Sequence, residues 1–124
     1  MTSFTLADLD AVPVQMEIKH PKTDEPIGVF VEVQGPDSAE FRNLSKAQAT
    51  RRIAKGDKAK VDLEEMARDN DELLATCVVG WTNNEFFGEP YSKQAVLNLL
   101  KNPQRAWFRK QLDEFTDDRK NFFR

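Results

Sequence analysis

A chain of 124 residues, 40% apolar and 10% aromatic, is the size of one ordinary domain and carries enough apolar material for one core. Eighteen basic and 21 acidic residues leave a net charge of -3, so no global field draws the chain to nucleic acid or to an anionic membrane, and a charged partner must be met locally. A lone cysteine, Cys77, excludes an internal disulfide, and with no basic-apolar leader and no apolar run of membrane length the expected compartment is a reducing cytoplasm.

Residues 1–13 mix Thr, Ser and Asp with isolated apolar positions, which predicts an irregular lead-in with a short turn around Leu6 to Leu9. Val14, Met16 and Ile18 then alternate with polar residues, as do Ile27, Val29, Val31 and Val33 with Gly28, Phe30 and Glu32, the period of half-buried strands. The two strands read as one antiparallel hairpin over 14–34, joined by a loop with two prolines, Thr23 and Asp24. A two-stranded ribbon is marginal in water, so its apolar face must lie on helices or on another copy of the chain, which admits self-association.

Gly35-Pro36 stops the second strand, and Asp37 or Ser38 caps a helix starting near Ala39 with Phe41, Leu44, Ala47 and Ile53 along one weakly amphipathic side. A charged stretch over 51–60 contains Arg51, Arg52, Lys55, Lys58 and Lys60 around Gly56 and reads as a helix end and a link. Asp62 and Glu65 stand at capping-box spacing, and behind them Leu63, Met66, Ala67, Leu74, Cys77, Val78 and Trp81 form a stripe at offsets of three and four, interrupted at Asn70. This predicts the most secure helix of the chain, closed by Gly80 and Trp81. Gly88 and Pro90 break a loop, Ser92 caps a helix faced by Val96, Leu99 and Leu100, and Asn102-Pro103 opens a last one with Phe108, Leu112, Phe115, Arg119 and Phe122 on a stripe. The expected fold is α+β and mainly helical: a single domain in which an N-terminal antiparallel β-hairpin precedes three to five α-helices over 37–124.

Catalytic chemistry finds little footing. His20 lies in a polar hairpin loop before Pro21 and far in sequence from Cys77, and Cys77 sits on an apolar stripe where an inert, buried thiol is expected. Glu64, Glu65, Asp69, Asp71 and Glu72 read as a solvated helix face, and Asp113, Glu114, Asp117 and Asp118 as exposed partners of Arg109, Lys110, Arg119 and Lys120. No metal site, cofactor site or phosphate-binding glycine loop is apparent. The cations of 51–60 could follow a nucleic-acid backbone, but no aromatics interleave with them and acidic residues flank them.

The aromatics carry the functional promise. Of nine Phe, two Trp and one Tyr, nine lie at Trp81 or beyond, and these cannot all share one interior, since Trp107 adjoins Phe108, Phe123 adjoins Phe122, and Phe86-Phe87 falls in a polar loop. Phe86, Phe87, Tyr91, Trp107 and Phe123 are therefore candidates for a partner-binding surface, against the alternative that the loop folds back and buries Phe86 and Phe87 locally.

The order of signals over 80–103, a helix ending in Gly80-Trp81, a loop with Gly88, a Tyr91-Ser92 helix start and Leu99-Leu100 shortly before Pro103, resembles the tail assembly chaperones of long-tailed bacteriophages. The Pro36-Asp37-Ser38 helix start and Asn121-Phe122 extend the likeness over most of the chain. Where that family has a polar, acidic loop after Gly-Trp, this chain has Asn83, Asn84, Phe86 and Phe87. The resemblance implies a non-enzymatic protein of the host cytoplasm that keeps the tape measure protein soluble during tail assembly and is absent from the finished virion. In such families a longer form made by ribosomal frameshifting is common, and its extra domain recruits the tail tube protein. A structural tail or connector subunit, closing into rings through the hairpin edge, is the alternative.

Overall fold

A computed structural model describes residues 3–56 and 62–123. Strands β1 (Val14–Lys19) and β2 (Pro26–Val33) form the expected antiparallel hairpin, with Met16, Ile18, Val29, Val31 and Val33 buried as the alternation requires. Helices α1 (Ala39–Lys55) and α2 (Leu63–Cys77) follow, then a third strand, β3 (Val78–Trp81), which adds to the other side of β2. The short helix α3 (Asn84–Phe87), helix α4 (Lys93–Lys101), a 3-10 turn at Pro103–Arg105, helix α5 (Ala106–Asp117) and a 3-10 turn at Arg119–Phe122 complete the chain.

The start signals act as the sequence leads one to expect. Ser38, Asp62, Ser92 and Asn102 each accept backbone N–H groups with the side chain at a helix start, replacing partners that the first turn lacks. The lead-in contains one 3-10 turn, Ala7–Leu9, and is tied to the other end of the chain where the Val12 N–H donates to the Phe122 carbonyl at 2.8 Å.

Four expectations about these elements are corrected. Val78 and Trp81 belong to β3 and not to the α2 helix. The run Val78-Val79-Gly80-Trp81 combines β-branched and aromatic residues with a glycine that weakens a helix, and β2 offers it a bonding edge. The stripe at the start of α2 is not core: Leu63, Met66 and Ala67 are exposed, and the inward face of that helix begins at Asp69. The last helix ends at Asp117, and Phe122 reaches the core from a separate turn after the Asn121 side chain has donated to the Phe115 carbonyl. On α1, Ala47 and Ile53 face solvent while Gln48 is buried.

The core lies between the inner face of the sheet and the inward faces of α2, α4 and α5, with Phe108, Leu112, Val96 and Phe122 almost fully buried beside the strand residues. Gly35 fits here for a steric reason: a Cβ on it would stand 2.6 Å from a ring carbon of Phe122. Each edge of the sheet is met at one residue by a side chain. The Gln111 amide bonds both backbone groups of Lys19 on β1, and the Tyr91 hydroxyl donates to the Val78 carbonyl on β3 at 2.8 Å.

Candidate functional site

The candidate surface is built around α3. Asn83 accepts from the Phe86 N–H and so starts this single turn, and Gly88, in the left-handed region at φ 82°, ends it. The turn places Phe87 flat on Trp81, with ring centroids 4.1 Å apart and planes 14° from parallel. Phe87 also meets Phe108 edge-on at 6.1 Å, so it is the ring through which the loop is anchored to the core. Phe86 stands at right angles to Phe87 and is left 42% exposed. Of the two readings of this loop, each therefore describes one phenylalanine: Phe87 folds back, and Phe86 looks outward.

Tyr91 packs edge-on against Trp81 at 5.4 Å and bonds Val78, and burial pushes its hydroxyl pKa above the ordinary tyrosine value. The Trp81 indole N–H donates to the Glu89 carbonyl, which closes the loop on its own strand. Trp107, half-buried on the first turn of α5, contacts Phe108 edge-on. Phe86, Phe87 and Trp107 thus line one hollow of about 210 Å³ together with Leu99, Arg105 and Phe108. A second hollow of about 180 Å³ shares Phe87, Leu99 and Arg105, so the two adjoin along α4 and the start of α5. Phe123 is 44% exposed on the C-terminal turn, outside these hollows and outside the ring contacts that join the others.

Leu99, Arg105 and Phe108 line the first hollow without having been site candidates in the sequence, where Phe108 reads as part of a core stripe. Leu99 had been assigned to a helical face, and nothing in linear spacing shows that this face leaves the core for the groove. Arg105 follows the helix-opening proline and carries no local signal.

The charged residues are arranged for internal pairing. Asp69, read from sequence as solvated, is only 2% exposed; its carboxylate accepts from Arg51 at 2.9 Å and Arg52 at 3.1 Å, while its backbone carbonyl accepts from Gln48. Asp71 is likewise buried and pairs with Arg109 of α5, and Lys55 pairs with Glu65. Arg119 reaches across to Asp37 and holds that carboxyl below the usual carboxylate pKa. Of the expected exposed pairs only Lys110–Glu114 and the neighbouring Lys120–Asp118 are local. The cations Arg51, Arg52 and Lys55 of the basic stretch are therefore neutralised against α2, and Lys58 and Lys60 lie outside the described residues.

Cys77 is buried, with its thiol pushed up to about 12 by the loss of solvent. His20 accepts the Lys22 N–H with Nδ1 at 3.0 Å and serves the hairpin turn. Among the described residues no three His, Cys, Asp or Glu side chains converge as metal ligands, and no helix is long and apolar enough to cross a membrane. Comparison with protein-family models, curated proteins and solved structures finds no match. The local geometry is left to carry the functional reading: an apolar, ring-lined groove with one cation at its wall.

Proposed function

We propose that this chain is a non-enzymatic tail assembly chaperone of a long-tailed bacteriophage, acting in the host cytoplasm on the tape measure protein. The observation that carries the reading is the groove of Phe86, Phe87, Leu99 and Trp107 over the buried Phe108, in which the rings of Phe86, Phe87 and Trp107 are held by packing yet left partly in water. A tape measure protein is a long helix with apolar stripes, and such a stripe seats in an aromatic groove by helix-in-groove packing. Rigid rings contribute much contact area at little entropic cost, and many copies along one long partner gain from multivalency. Masking of this kind is an equilibrium process that requires no nucleotide hydrolysis. The resemblance in residue order over 80–103 supports the same reading.

The ring-subunit alternative uses the hairpin edge, of which Gln111 occupies the Lys19 end. The deciding experiment is co-expression with the long helical protein encoded beside this one, scoring the soluble fraction and co-purification. Solubility of the partner only in the presence of this chain, lost with Phe86→Ala and Trp107→Ala together, supports the chaperone. An indifferent partner, with this chain eluting as one large species on sizing, overturns it in favour of a ring subunit.

A further inference from the structure

The larger charge pattern of the groove has an asymmetry. Of the six residues that line the hollow beside Phe86, only Arg105 is ionisable. Arg105 also lines the adjoining hollow, where Glu89 is the one acidic residue; the Glu89 backbone carbonyl accepts from Trp81, and its carboxylate forms no ion pair among the described residues. Among the described residues Arg105 forms no ion pair, although Arg51, Arg52, Arg109 and Arg119 all do. Its position at the start of α5 adds the positive end of a helix dipole to the same spot. An unpaired guanidinium on an apolar wall favours an occupant that brings a carboxylate beside its apolar anchor, because the pair then forms at the edge of a partly desolvated groove.

We infer that Arg105 sets the charge preference of this groove, which accepts an amphipathic helix bearing Glu or Asp next to its apolar stripe and discriminates against one bearing Lys or Arg there. The inference rests on the proposed role of the groove as a helix-docking site and names the chemistry of its partner segment. A polyanion such as a single-stranded nucleic acid would also meet rings and a cation, but the net charge of -3 opposes it along the rest of the surface.

The test uses the full chain and two synthetic amphipathic peptides of roughly 20 residues, long enough to hold a helix in water. They lack tryptophan, share one Leu stripe, and carry either Glu or Lys at the positions flanking the centre of that stripe. Titration followed by Trp fluorescence is expected to show the Glu peptide binding roughly fivefold tighter at low salt. That preference runs against the net charge of the protein, so a bulk electrostatic effect cannot produce it. Arg105→Gln should equalise the two peptides and Arg105→Glu invert their order. Arg105 is exposed and its side chain makes no hydrogen bond among the described residues, so these variants should keep the parent melting temperature. Phe86→Ala, which keeps Trp107 as the reporter, should weaken both peptides alike. Equal binding by the wild type, a preference that survives Arg105→Gln, no binding of either peptide, or tighter Arg105-dependent binding of an oligo-dT strand would each overturn the inference. Co-expression with the natural partner reports on the chaperone role separately, since masking can persist without charge selection.

Discussion

The side-chain amide of Gln111 is bonded to both backbone groups of Lys19, accepting from its N–H at 2.9 Å and donating to its carbonyl at 2.8 Å. A single residue of α5 thus takes the place of a neighbouring strand at the end of β1. An uncovered strand edge is a template for pairing with another chain, and an amide that imitates a peptide group removes that template where the hairpin would be easiest to extend.

Replacement of Gln111 by Leu should therefore have two effects. Loss of two partly solvated hydrogen bonds should cost about 1 kcal/mol in urea unfolding. The opened edge should also give concentration-dependent association in sedimentation velocity. A variant that stays monomeric at all concentrations would show that the edge needs no cover.

The Asp69 cluster predicts an asymmetry between its partners. Asp69→Asn removes a buried charge and leaves two half-exposed arginines that water can solvate, so the expected cost is about 1–2 kcal/mol. Removing both cations in Arg51→Ala/Arg52→Ala strands a carboxylate that is almost wholly buried, at about 3 kcal/mol. Paired denaturation curves of the two variants decide the matter; if Asp69→Asn is the more damaging, the cluster is held by something other than charge.

Gly35→Ala should destabilise by about 2 kcal/mol, since the new methyl group would overlap the buried Phe122 ring and a packed interior yields little. Combination with Phe122→Leu, which makes room, should cost less than the sum of the two single changes. A calorimetric double-mutant cycle measures this coupling, and strict additivity would contradict the contact.

The two loop phenylalanines should separate stability from binding. Phe87→Ala removes the ring stacked on Trp81 and should cost about 3 kcal/mol, whereas Phe86→Ala should cost less than about 1 kcal/mol. Thermal melts give the stabilities, and pull-down with the helical partner gives the binding. Phe86→Ala is expected to weaken the complex while leaving the fold intact.

Cys77 predicts a pH dependence. Its thiol loses a proton near 9.0 when unfolded and near 12 when folded, so between those values the unfolded chain binds fewer protons. Stability from this group is complete below pH 9 and declines as pH rises toward 12. Native protein at pH 8 should resist thiol reagents until denaturant is added, and rapid labelling without unfolding would contradict the burial.

The local devices of this protein were determined by sequence alone. Alternating Val14, Met16 and Ile18 placed the hairpin, and Ser38, Asp62, Ser92 and Asn102 marked helix starts, because strand period and capping depend on residues within a few positions of one another. Tertiary structure alone decided that Val78 to Trp81 is a strand. Glu32 pairs with Gly80 and Val33 with Val78, so Val79 is an extra residue in the ladder, and this bulge puts Val78 and Trp81 on the core side at a spacing of three, the spacing of a helix. It also decided the state of Asp69, whose burial depends on arginines from another helix, and the division of labour between Phe86 and Phe87. In each case neighbours distant in sequence set the energy of burial, and periodicity along one element contains no information about them.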